Sequence, residues 1–353
     1  PEARSAGGGR LPRPSEQRTA RPRMGPPRTE DRTPMNTSLR AGLAGALACG
    51  VLVTAMSAGR DGGGGGDASA PPTGPYVALG DSYTAGPGIP DRSGTPAGCE
   101  RSGRNYPALV AARLKIEASD FHDVSCTGAT IADLSAPQPT DDGTNPAQFD
   151  ALSRTTRLVT VGIGGNDIGF ASVIRRCVTS GVLYEVTGGR DGDGDAPCEE
   201  RYVSGDVDEV RRKIEAADGR LARALDEVER RAPKARVYVV GYPAILPSDG
   251  GDCGDCGDCG DCGRDLPLTP GDIDFVRDKE RELNTVLRQR AEAARARYVD
   301  TYGPSEGHDA CSAEDTRWIE PLVPRSPAAA VHPDERGGRG MADAVLHALA
   351  AHP

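Results

Sequence analysis

Short apolar runs alternate with longer amphipathic stretches along most of the chain. Five runs read as strands, at 76–79 (YVAL), 121–125, 158–163 (LVTVGI), 236–240 (RVYVV) and 297–300. Each is short and mostly apolar, the pattern of strands covered on both faces. Helical patterns lie at 105–115, 206–231, 269–296 and 336–351. In the second of these, Val207, Val210, Ile214, Leu221, Leu225 and Val228 recur at helical spacing and make one apolar stripe, which is packing surface. Strands alternating with helices predict βαβ units and a parallel sheet whose carboxyl ends gather the functional loops.

The beginning of the chain departs from this pattern. Residues 1–34 are rich in Pro, Gly and Arg with almost no apolar periodicity, and read as a disordered or non-native upstream extension. Arg40 followed by the run AGLAGALACGVLVTAMSA makes 35–58 a signal peptide in form. A permanent anchor is the alternative, since the run approaches the roughly twenty residues a bilayer demands, but its Ala and Gly content makes it weakly hydrophobic. Cleavage and secretion are therefore expected. A lipoprotein site at Cys49 is disfavoured by Ala46, which stands where leucine is expected. Residues 59–74 form a Gly/Pro-rich linker, leaving 75–353 as one domain long enough for a substantial core.

Charge narrows the range of partners. The chain has 42 Lys and Arg against 52 Asp and Glu, and after residue 70 the balance is 32 against 46. Phosphate backbones are held by Lys and Arg, so no nucleic-acid partner is expected. Aromatic residues make up 4% of the chain, which also leaves little for base stacking.

Nine of the ten cysteines follow the leader. In an exported chain dispersed cysteines pair. The expected sequential bridges are Cys99 with Cys126 and Cys177 with Cys198, leaving Cys311 to take one partner from Cys253, Cys256, Cys259 and Cys262. Those four lie in a perfect repeat, GDCGDCGDCGDC. Repeated C-x-x-C spacing suits thiolate coordination of zinc in a reducing compartment. Export removes that environment, and an exact tripeptide repeat has the form of an expanded loop. The DGDGD segment at 191–195 lacks the glycine and glutamate of an EF-hand loop, with Ala196 and Tyr202 at those places, and reads as a solvated loop. No metal and no cofactor is expected.

The carboxyl ends of the strands carry the reactive side chains. Ser82 follows the first run in GDS, Gly128 the second in CTGAT and Asn166 the third in GGND, while His332 stands near the end in VHP. A serine nucleophile needs a base, and histidine is the side chain poised for that near neutral pH. The tetrahedral intermediate needs donors aimed at its oxygen, which a glycine N–H and an asparagine amide supply. Each residue also has an ordinary explanation: a polar turn for Ser82, a positive-φ turn for Gly128, a helix N-cap for Asn166. Taken jointly, acyl transfer is the better account.

In order, GDSY, CTGA, IGGNDIGF, GYP, GHDAC and HP resemble the SGNH (GDSL) hydrolase family, most closely its secreted actinobacterial esterases and lipases. The resemblance runs from about Tyr76 to the C-terminus. It implies a three-layer α/β/α fold of flavodoxin-like type with a central parallel sheet of about five strands. It also implies Ser82 as nucleophile and His332 as base, with the Ser82 and Gly128 N–H groups and the Asn166 amide as the oxyanion hole. Thr84 stands where a G-x-S-x-G elbow has its second glycine, so the turn is of another kind. The family usually places an aspartate three residues before the histidine, where this chain has Ala329. The expectation is therefore a dyad in which a main-chain carbonyl, with Ala329 as candidate, orients the imidazole. His308 in GHDAC is the alternative base, and His122, His347 and His352 read as ordinary surface or packing residues. The implied substrate is a carboxylic ester or lipid, met transiently at a lipid interface by a secreted monomer, with loops 87–104 and 171–204 shaping an acyl pocket. The rival reading is a noncatalytic secreted protein that binds metal or another ligand through the Gly-Asp-Cys repeat.

Overall fold

The computed structural model describes residues 74–188, 196–248 and 265–351. The extension at 1–34, the signal peptide at 35–58, nearly all of the 59–74 linker, the DGDGD segment and the cysteine repeat lie outside the described residues.

A parallel sheet is the frame of the domain. Its strands are β1 (Tyr76–Gly80), β2 (Phe121–Asp123), β3 (Leu158–Gly162), β4 (Arg236–Val240) and β5 (Arg297–Val299). They lie in the order β2-β1-β3-β4-β5, every pair parallel, with Tyr76 beside both Phe121 and Leu158. In this flavodoxin-like order the chain reverses direction across the sheet between β1 and β3. A ligand crevice is expected outside the carboxyl ends of those two strands.

Alternation along the strands sorts the core into two layers. Tyr76, Ala78, Tyr238 and Val240 face helices α2 (Tyr106–Leu114) and α6 (Glu335–Ala351), meeting Val110, Met341 and Val345. Val77, Leu79, Val159, Val161 and Val239 face the opposite layer of α3 (Phe170–Val186), α4 (Glu209–Arg231) and α5 (Pro270–Ala293). The α4 stripe packs there through Val210, Ile214, Leu221, Leu225 and Val228. Val207 falls in a short hairpin before the helix, because Asp208 caps it by accepting the Arg211 N–H. Among the described residues no helix is long and apolar enough to cross a membrane.

Residues 171–204 are not a single loop. Its first part, as far as Val186, belongs to α3, and a one-turn helix stands at Glu199–Tyr202. The α3 sequence contains β-branched residues and a glycine, so local propensity argues weakly for helix. Packing supplies what propensity lacks, with Phe170, Val173, Ile174 and Cys177 buried. Cys177 is bonded to Cys198, whose N–H donates to buried Asp272 at 3.0 Å.

Cys99 and Cys126 form a second disulfide, closing a separation of 27 residues. Cys311 is disulfide-bonded too, and its candidate partners Cys253, Cys256, Cys259 and Cys262 all lie outside the described residues. Replacing both Cys99 and Cys126 with alanine is expected to destabilise the fold by about 3.5 kcal/mol, the chain-entropy value for a loop of this size. Urea unfolding with an unchanged midpoint would contradict that.

Candidate active site

β1 delivers Ser82 to the crevice. At Gly80 the chain passes its neighbours closely: a Cβ there would lie 2.7 Å from the Gly162 carbonyl oxygen and 2.6 Å from Thr84 Cβ. No larger residue fits. Fully buried Gln148 brackets the same residue, accepting its N–H at 2.8 Å and donating to its carbonyl at 2.9 Å. Asp81 then caps the one-turn helix α1 (Ser82–Ala85) by accepting the Tyr83 N–H at 2.9 Å. Ser82 opens that helix and is 6% exposed.

His332 comes from the irregular segment before α6. Its Nε2 lies 2.8 Å from Ser82 Oγ, and its Nδ1 lies 2.8 Å from the Ala330 carbonyl oxygen. With the proton on Nδ1 donated to that carbonyl, Nε2 is left to accept from the serine. The orienting carbonyl is thus Ala330 rather than Ala329, whose own carbonyl takes the His332 N–H at 3.2 Å. Between them Val331 has φ of 59°, a left-handed backbone that bends the chain so the Ala330 carbonyl meets the ring. For a β-branched residue this is strained. Tyr83 holds the bend, donating from Oη to the Val331 carbonyl at 2.6 Å and placing its ring 4.9 Å from the imidazole.

The acids nearby have other work. Glu320 accepts the Arg325 N–H at 2.6 Å and also the Ser326 N–H and hydroxyl, while Asp334 accepts the Arg336 and Gly337 N–H groups at the start of α6. Asp309 accepts the Cys311 N–H, and Asp315 meets the Thr316 hydroxyl. His308 does not reach Ser82: its Nδ1 lies 2.7 Å from the Thr316 carbonyl and its ring stacks on Trp318.

Burial pushes the His332 pKa below its ordinary 6.5, and the Ala330 bond opposes this only in part. A carboxylate on Nδ1 would act in the other sense. An imidazole 15N titration of the free protein should therefore give a midpoint below 6.5, with Asp315→Asn and Asp334→Asn leaving kcat within a few-fold. A midpoint well above 6.5, or a collapse of kcat in either variant, would reveal an acid acting on His332.

The remaining donors gather around the serine. Gly128 has φ of 79°, which suits glycine, and its loop is held by the Thr127 N–H on the Cys99 carbonyl and by Gln138 on the Thr127 carbonyl. Among the described residues the Ser82 and Gly128 N–H groups donate to no protein acceptor. Asn166 gives one amide hydrogen to the Ala129 carbonyl at 2.9 Å, tying the loop after β3 to the loop after β2 and leaving the second hydrogen. It is not a helix cap, since α3 starts at Phe170 behind Gly169.

Ser82, Gly128, Asn166 and His332 line one cleft of about 380 Å³, walled by Phe170, Ile174, Leu283, Leu322 and Val331. A larger hollow of about 550 Å³ lies elsewhere, around Arg236 and Arg297 at the amino ends of β4 and β5, and holds none of these residues. Sequence reading missed Gln148, Tyr83, Asp81 and Tyr242 as parts of the site. Asp81 and Tyr83 stood in GDSY and Tyr242 in GYP, whereas Gln148 carried no signal. It also missed Glu280, which lines the cleft and whose carboxyl is pushed up by burial.

A flavodoxin-like sheet with a serine and a histidine in hydrogen-bond contact at its switch point defines the class as an α/β ester hydrolase. Within that class the chain belongs to the GDSL-like Lipase/Acylhydrolase family, which matches residues 78–339. It is 40% identical over 283 residues to Lipase 2 of Streptomyces coelicolor, covering 80% of this chain and 88% of that protein. An esterase of Streptomyces scabiei is 29% identical, with 68% and 73% covered. Among solved structures, the phospholipase A1 of Streptomyces albidoflavus superposes with a TM-score of 0.61 at 29% identity, covering 78% of this chain and 99% of that one. The extracellular lipase of Streptomyces rimosus gives 0.59 at 26% identity, with the same coverage. The protein is a carboxylic ester hydrolase, and its kinship with lipases and esterases disfavours the noncatalytic reading built on the cysteine repeat.

Proposed function

We propose that the protein is a secreted hydrolase of lipid esters that works through an acyl-enzyme on Ser82. His332 Nε2 takes the Ser82 proton as Oγ attacks the ester carbonyl, and the imidazolium then protonates the departing alcohol. The Ser82 and Gly128 N–H groups and the Asn166 amide receive the oxyanion. Water, deprotonated by the same imidazole, releases the acid. The observation that carries this reading is the 2.8 Å contact between Nε2 and Oγ inside a cleft that Phe170, Ile174, Leu283, Leu322 and Val331 make largely apolar, with Arg175 and Glu280 as its charged members. Such walls suit an acyl chain better than a sugar.

Export is supported by the form of 35–58 and by disulfides, which persist in oxidising compartments. Contact with a lipid surface is supported by Leu183, Val186 and Val323, which are 54%, 80% and 78% exposed. All the catalytic groups come from one chain, so a monomer suffices. Turnover of p-nitrophenyl esters of graded chain length, beside emulsified triacylglycerol and phospholipid vesicles, tests the substrate class. Activity confined to acetyl esters would overturn the lipid assignment.

A further inference from the structure

We propose that the Tyr242 hydroxyl is a positioning group for ester hydrolysis, joining the turn that carries Ser82 to the loop that carries Asn166. This rests on the roles assigned to those two residues above. Tyr242 follows β4 at the carboxyl edge of the sheet and is 6% exposed. Its backbone is clamped on both sides by Asn284 of α5, which accepts its N–H at 2.8 Å and donates to its carbonyl at 2.9 Å. Its ring meets Tyr83 edge-on at 5.2 Å. The hydroxyl is therefore held by a rigid element.

That hydroxyl makes two bonds. It donates to Asp81 Oδ2 at 2.5 Å and accepts the Gly165 N–H at 2.8 Å. Asp81 immediately precedes the nucleophile, and Gly165 immediately precedes the oxyanion-hole asparagine. One oxygen thus sets the spacing of the two chain segments whose side chains must meet across the reacting carbonyl. The loop needs such a tether, because Gly164 has φ of 121° and two successive glycines leave the backbone many alternatives. A hydroxyl that donates to a carboxylate also becomes a better acceptor, so Asp81 strengthens the hold on Gly165. Burial raises the Asp81 carboxyl to about 7, with the nearby Asp167 charge adding to the rise and the Tyr242 and Tyr83 bonds opposing it. Tyr242 is thus one of the groups that keep the carboxylate in its accepting form.

Tyr242→Phe retains the ring and removes only the bridge. With p-nitrophenyl butyrate, kcat should fall about 10- to 100-fold while KM stays within about twofold, since a loosened oxyanion loop harms the transition state rather than ground-state binding. Asp81→Asn can still accept the Tyr83 N–H but is not a charged acceptor for the phenol, and should lose kcat in the same way. The double variant should be no slower than the slower single, because both act through one contact. A Tyr242→Phe enzyme with kcat within twofold of the parent, a loss confined to KM, or losses that multiply in the double variant would overturn the proposal. If Tyr242→Phe does not fold, the kcat and KM of Asp81→Asn decide the matter. Ser82→Ala in the same assay separates the two levels: retained turnover there defeats the site assignment, whereas an inactive Ser82→Ala beside a fully active Tyr242→Phe defeats only the positioning role.

Discussion

Ser82→Ala is expected to lower kcat for a soluble ester such as p-nitrophenyl butyrate by about 10⁴-fold or more, with KM and melting temperature nearly unchanged. The serine hydroxyl has one side-chain partner, His332 Nε2, so its loss removes chemistry and little packing. Substrate still meets the same walls of Phe170, Ile174 and Leu283, which is why binding should survive. His332→Ala should cost a similar factor, and the double variant no more than the worse single, because nucleophile and base act as one unit. The residual rate would come from the donors around the oxyanion, which do not depend on either side chain. A Ser82→Ala enzyme with even a tenth of the parental kcat would place the nucleophile elsewhere. Trapping of a covalent acyl adduct with a fluorophosphonate, followed by peptide mapping, checks the assignment directly.

The central strands β1, β3 and β4 were legible because burial writes them as apolar runs, and helix α4 because its stripe repeats at helical spacing. The reactive residues were legible for a related reason. Each stands just after a strand or beside a proline, and the four taken together make a set that separate turn and cap roles do not explain. The segment at 171–204 was not legible, because α3 is held by contacts with α5 and by a disulfide rather than by its own propensity. The switch of orienting carbonyl from Ala329 to Ala330 turns on one backbone angle, at Val331, that no residue type announces. Asp81 and Tyr242 are 161 residues apart, and Gly80 and Gln148 are 68 apart. Pairings of that range are set by the strand order β2-β1-β3-β4-β5, which local pattern does not encode. The chemistry could therefore be read from motifs, while the groups that hold it in place became visible only in the fold.

Asn166→Ala is expected to lower kcat by roughly 10²- to 10³-fold with a much smaller change in KM, the signature of a donor used chiefly in the transition state. The geometry explains the split. Asn166 already spends one amide hydrogen on the Ala129 carbonyl, so its side chain is fixed before substrate arrives, and the other hydrogen needs no reorganisation to meet developing charge. Two effects combine in the alanine variant: the donor is gone, and the tie between the loops after β2 and β3 is gone with it. Asn166→Asp separates them. A carboxylate there cannot donate, and it would face the Ala129 carbonyl and the nascent oxyanion with like charge, so kcat should fall further than in alanine. Ala129 precedes Thr130, whose hydroxyl and N–H are both held by Asp133, so that side of the pocket keeps its shape without Asn166. Melting temperature should consequently move little in Asn166→Ala. A rise in KM equal to the whole loss of kcat/KM, with kcat preserved, would make Asn166 a substrate-binding residue and leave the Ser82 and Gly128 N–H groups as the oxyanion hole.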